Sequence, residues 1–140
     1  MADTFDYTHG VAAKAWDGLN KCYVLKNRVT VTDVTASTDI LQLIDIPAGT
    51  YVFQVITKIV TPKSGRAGTV GHGTTEAAYW DAAITLAASA GTYTSAVAGT
   101  DTYGTSNGCL YSAADTIDMT VDGDVIGLVI DVYAVCIDVS

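Results

Sequence analysis

Thr116-Ile117-Asp118-Met119-Thr120-Val121-Asp122-Gly123-Asp124-Val125-Ile126-Gly127-Leu128-Val129-Ile130-Asp131-Val132-Tyr133-Ala134-Val135-Cys136-Ile137-Asp138-Val139 contains two legible runs separated by Asp122-Gly123. The first alternates. Ile117, Met119 and Val121 fall on one face and Thr116, Asp118 and Thr120 on the other, the pattern of a half-buried strand. Asp-Gly between apolar runs predicts a hairpin, because a type I′ turn needs φ > 0 at both central positions. The second run has Ile126, Leu128, Ile130, Val132 and Ala134 on one face and Val125, Val129, Tyr133, Val135, Ile137 and Val139 on the other. Both faces are apolar, so both need cover. A transmembrane helix would need about 20 uninterrupted apolar residues, and Asp131 breaks the run. The weight of β-branched residues argues against a buried helix.

The same reading extends to the rest of the chain. Residues 1–22 show no strand alternation but hold Phe5, Tyr7 and Trp16. They read as an extended N-terminal arm, with a short helical turn over 11–16, that packs on a neighbouring subunit or on its own domain. Residues 23–140 read as a single β-sandwich domain. Strands are expected over 23–34, 40–46 and 50–61, the last two joined by a tight turn at Pro47-Ala48-Gly49. In the last of these, Tyr51, Phe53, Val55 and Ile59 mark one face and Val52, Ile56 and Val60 the other. Shorter strands are expected at 67–73, 82–87, 93–97 and 109–112, with 99–108 an exposed loop. Eight to ten short strands with polar or glycine turns predict an all-β fold: an antiparallel β-sandwich or a jelly-roll-like barrel.

Charge is scarce and unevenly placed. Charged residues make up 16% of the chain and the formal net charge is −8. All seven Lys and Arg lie at or before Arg66, and nine acids with no Lys or Arg follow it. Such a surface repels nucleic acid and anionic membrane, so neither is expected as a partner. The cations of the N-terminal half, Lys14, Lys21, Lys26 and Arg28, instead suit an acidic protein neighbour. The sequence has no 20-residue apolar segment and no signal-peptide pattern, which predicts synthesis in a cytoplasm or exit without a signal. Cys22, Cys109 and Cys136 are odd in number and far apart. They read as reduced thiols, with Cys136 in the core.

No motif for catalysis is present. His9 and His72 are the only histidines, and His72 reads as an exposed loop residue between glycines. There is no G-x-S-x-G, Walker or H-E-x-x-H sequence. Asp122-Gly123-Asp124 resembles part of a calcium loop but lacks the rest of its pattern, and hairpin chemistry accounts for it. The expectation is therefore no catalytic residue, no cofactor and no metal.

The doubly apolar strands over 50–61 and 124–139 demand a further layer. A second copy could supply it, which makes Tyr51, Phe53, Val129 and Tyr133 the candidate subunit-interface residues; the alternative is a closed barrel whose second face the N-terminal arm covers. The segments 2–7 (ADTFDY), 43–50 (LIDIPAGT), 111–118 (YSAADTID) and 134–138 (AVCID) resemble a group of small virion structural proteins of tailed bacteriophages. That resemblance implies a capsid decoration or cement protein, often a trimer. It would sit on the outer capsid surface at junctions between capsomers, with the major capsid protein as partner. Phe5, Tyr7, Lys14, Trp16, Lys21, Lys26 and Arg28 are then the candidate capsid contacts. The competing expectation is a head-fibre or receptor-binding module using Tyr79, Trp80, Tyr93 and Tyr103 as an exposed sugar-stacking platform. A weaker third option is a hydrolase built on a pair of aspartates.

Overall fold

A computed structural model describes residues 2–8, 22–72, 80–96 and 109–139 of the chain. They form ten strands: β1 (Thr4–Asp6), β2 (Cys22–Thr30), β3 (Ile40–Ile46), β4 (Thr50–Thr61), β5 (Ala67–Gly71), β6 (Asp81–Thr85), β7 (Tyr93–Ala96), β8 (Cys109–Tyr111), β9 (Asp115–Val121) and β10 (Val129–Asp138). No helix occurs among the described residues. The helical turn expected over 11–16, the strand end at 72–73 and the loop at 99–108 fall wholly or partly outside them.

The strands build two five-stranded sheets. The first runs β1-β3-β9-β5-β6. The second runs β2-β10-β4, and the far side of β4 is shared by β7 along 55–58 and β8 along 50–52. Every pairing is antiparallel except β1 with β3. A single apolar core lies between the sheets, with Leu41, Ile44, Ile117 and Met119 from the first and Val29, Val52, Ile59, Ile130, Val132 and Cys136 from the second. Buried Asn27 fastens the two layers. Its Nδ2 donates to the Tyr7 carbonyl at 2.8 Å and the Leu43 carbonyl at 2.7 Å.

The expected hairpin does not form. β9 and β10 lie in different sheets and pair with other strands. The reason is what the connection does. Val125 and Leu128 are fully buried and plug one end of the core. Besides its own turn bond from the Leu128 N–H to the Val125 carbonyl at 3.0 Å, the chain there bonds to the bend after β2: Val125 N–H to the Val34 carbonyl at 3.1 Å, Gly127 N–H to the Val31 carbonyl at 2.9 Å, and Val31 N–H to the Leu128 carbonyl at 2.9 Å. The left-handed residue is Gly127, at φ 91°. Asp122 and Gly123 form a clasp instead. Asp122 accepts from the Ala67 N–H at 3.2 Å, and Arg66 Nε donates to the Asp124 carbonyl at 3.2 Å. The Arg66 guanidinium crosses Gly123 so closely that a Cβ there would lie 2.8 Å from its Cζ.

One face assignment also changes. β4 carries a bulge where the register with β10 jumps between Val135 and Cys136. The extra residue resets the alternation. Tyr51 thus points away from the core, while Val55 and Ile59, expected on its face, are buried with Val52.

Candidate interaction surface

The outward face of the second sheet is unlike an ordinary solvated face. The registers place Ile137 beside Cys22 and Tyr51, and Tyr51 beside Leu110. The next row sets Val135 beside Val24 and Gln54, and the row after it Tyr133 beside Lys26 and Ile56. Val24 is 56% exposed, Leu110 54% and Tyr93 59%. These three and Val139, which extends the ladder by bonding to the Gly49 carbonyl at 2.9 Å, are four of the five exposed large hydrophobics among the described residues. The fifth, Ile126, is in the plug turn.

At the other end of this face lies a charged row, Arg28–Asp131–Lys58–Tyr93. Asp131 interrupts the apolar run of β10, and the structure shows why it is tolerated. Arg28 grips its carboxylate with Nε at 2.7 Å and a terminal nitrogen at 2.9 Å, and Lys26 Nζ stands at 4.0 Å. The Arg28 hydrogen bonds hold the Asp131 carboxyl below its ordinary range, against the pull of desolvation. Lys26 lies 5.5 Å from the Tyr133 ring centroid and Lys58 lies 5.3 Å from that of Tyr93, so both ammonium groups rest on aromatic rings. Together with Lys26 from the adjoining Tyr133 row, this end of the face carries three cations and one carboxylate, a net local charge of +2.

The outward face of the first sheet is its opposite. Its described outward positions hold Asp6, Asp45, Asp118, Gln42 and a band of threonines, without Lys or Arg. The two faces of the molecule thus differ in charge. Burial pushes the Asp118 carboxyl up to about 6, opposed by a 2.6 Å hydrogen bond from the Thr116 hydroxyl and aided by nearby Asp115.

Of the candidate capsid contacts, Lys26 and Arg28 stand exposed on β2. Lys14, Trp16 and Lys21 lie outside the described residues. Phe5 is half-buried in β1, which adds to the edge of the first sheet. Tyr7 is 7% exposed; its ring belongs to the core and its hydroxyl donates to Asp33. Of the interface candidates, Tyr51, Phe53, Val129 and Tyr133 are all half-buried. The registers bring Tyr51, Val129 and Tyr133 onto the same outward face. Lys58, Leu110 and Val24 complete that face and were missed. Leu110 was legible as the outward residue between Cys109 and core Tyr111.

The sugar-stacking platform loses its centre, because Trp80 is fully buried. Its indole N–H donates to the Tyr111 hydroxyl at 3.4 Å, and His72 Nδ1 lies 3.0 Å from the same oxygen. His72 is thus half-buried in an aromatic cluster rather than an exposed loop residue. Burial raises the Tyr111 phenol well above its ordinary range. Tyr93 alone of the four is described as exposed; Tyr79 and Tyr103 lie outside the described residues. All three cysteines are free thiols and Cys136 is buried, as expected. No group of three His, Cys, Asp or Glu is placed to hold a metal among the described residues.

The fold defined here is a two-sheet, all-β domain. Three solved structures are similar to it over most of both chains. A chain of the capsid of Ralstonia phage GP4 superposes with a TM-score of 0.69 at 15% identity, over 98% of this chain and 99% of that one. A chain from the acidic stable capsid structure of Helicobacter pylori bacteriophage KHP30 gives 0.61 at 14% identity, over 87% and 92%. A chain from the cyanophage Pam1 capsid asymmetric unit gives 0.63 at 15% identity, over 89% and 90%. No protein-family model matches the chain, and no curated protein matches it.

Proposed function

We propose that this chain is a virion structural protein of a tailed phage, of the decoration or cement type, and not an enzyme. The observation that carries the reading is the likeness, over 87% or more of this chain, to chains of three different phage capsids. The strand order supports it. Without β1 and β8, the sheets read β2-β10-β4-β7 and β3-β9-β5-β6, and nearly every connection passes from one sheet to the other. This order supports reading the domain as an eight-stranded jelly roll, an architecture used by viral capsid domains. The chain sits on the outer surface of the shell, in contact with the major capsid protein, and acts as an oligomer, a trimer on the sequence resemblance. Its mechanism is mass action. A protein that binds only the assembled shell stabilises that state by RT ln(1 + [L]/Kd), about 2.7 kcal/mol per site at a hundredfold excess over Kd.

The purified chain mixed with shells of its phage prepared without it tests this. Saturable co-sedimentation and a raised shell disruption temperature are expected; absence of both rejects the reading. The triple variant Lys14→Glu, Trp16→Ala, Lys21→Glu, checked for an unchanged melting midpoint, then asks whether the segment ahead of β2 makes the contact. Occupancy equal to the unmodified chain removes those three residues from the site.

A further inference from the structure

We propose that the outward face of the second sheet is where one copy of this chain packs on another. Such a contact deepens the structural-protein reading and rests on it for its purpose. Purified chain alone tests it, so shells that fail to bind would overturn that reading and leave this contact standing.

Three observations select a second copy as the occupant. The first is area. Four strand positions at about 4.8 Å by ten residues at about 3.3 Å give a face of roughly 600 Å². Two such faces bury about 1,200 Å² in total, the lower bound of stable specific interfaces. The second is composition. Val24 and Leu110, each more than half exposed, flank half-buried Tyr51, Val135 and Ile137. Apolar centres of this kind carry interface energy, while rims are polar. The third is charge. Two bodies of −8 repel less when they meet through this face than when they meet through their carboxylate-rich first sheets. Within that face, the charged row at Asp131 is six residues from the apolar row at Ile137. That is about 20 Å along the strand, beyond the ~8 Å over which salt leaves charges in contact. Copies that cover the whole face in antiparallel sense therefore keep their charged rows at opposite rims of the contact and apart.

Sedimentation or light scattering of the purified full chain at about 50 μM, a concentration that populates contacts of micromolar affinity, reads the oligomer directly. The expected result is a dimer or trimer that persists or tightens from low salt to 1 M salt. Leu110→Glu and Val24→Glu should each weaken it by roughly 30-fold or more, because each buries a carboxylate without a partner against the apolar centre. Both side chains are mostly exposed in the single copy, so the fold should survive. Leu110→Ala is the milder second variant, and an unchanged melting midpoint verifies each. Ile126→Glu in the plug turn and the pair Lys26→Glu, Lys58→Glu should leave the oligomer intact. A monomer at both salt concentrations overturns the inference, as does an oligomer indifferent to both apolar changes. Loss with the lysine pair alone, or dissolution by salt, also overturns it and points instead to the charged row of one copy meeting a carboxylate-rich surface of the next.

Discussion

Two aspartates on strands of opposite sheets show how local surroundings set the behaviour of one side chain. Asp131 is almost entirely covered, yet it stays ionised because Arg28 supplies two hydrogen bonds and Lys26 and Lys58 add favourable charge. Its contribution to stability is present above the ordinary carboxylate pKa and is lost as pH falls below it. Asp118 does the reverse. Its folded value is about 6 against about 3.9 unfolded, so between these values the folded state holds the proton more tightly. Stability therefore falls as pH rises from about 4 to 6 and levels off above. Asp118→Asn keeps an acceptor for the Thr116 hydroxyl but cannot ionise. It should raise the urea midpoint at pH 7 and have no effect below pH 4, near the unfolded-state pKa. A variant equally or less stable at pH 7 would show that the carboxylate serves the fold as an anion. Neither behaviour was legible from the sequence, where Asp131 merely interrupted a strand and Asp118 took a polar position in an alternating one.

At the scale of the element, strand periodicity was readable because alternation is written locally. β3 and β4 begin and end where the sequence places them, at Ile40–Ile46 and Thr50–Thr61. Which strand pairs with which was not readable at Asp122-Gly123, since two strand-like arms around Asp-Gly, one alternating and one apolar on both faces, satisfy a hairpin and a sheet-to-sheet crossing equally well. The distinguishing residues are Val125 and Leu128, whose burial draws the connection into the end of the core, and Gly127, whose φ of 91° reverses it. Gly127→Ala should then cost about 1–2 kcal/mol, the penalty for an L side chain in the left-handed region, although a Cβ would meet no neighbour within 4 Å. Chemical denaturation measures it, and a cost near zero would mean that the turn can relax to negative φ. The bulge in β4 was likewise silent, because Phe53-Gln54 reads as ordinary alternation until register with β10 reveals the extra residue.

For the whole molecule, the sequence revealed the all-β class and the surplus of apolar faces, and it misplaced Trp80. A tryptophan beside a loop has no periodicity to say which way it points; only the assembled core, with Tyr111 and His72 against it, fixes it inward. Trp80→Ala should therefore cost about 3–5 kcal/mol of stability, as large-to-small core changes do. A calorimetric melt would register this as a drop of more than 10 °C; an unchanged melt would return the residue to the surface. The candidate site was half legible. Tyr51, Val129 and Tyr133 were identifiable from one strand face each, but Val24 and Leu110 join them only through pairing partners far away in the chain.

β10 is the strand that both β2 and β4 need, and its ladder joins Arg28 to a residue 103 positions later. A nascent chain must hold β2 unpaired until that stretch leaves the ribosome, with two bare edges that invite strand exchange or aggregation. Topologies dominated by such distant pairings fold in about milliseconds to seconds rather than microseconds. Slow synthesis or a stalled message would thus leave an open half-sheet, a substrate for chaperones rather than a smaller working version of the protein.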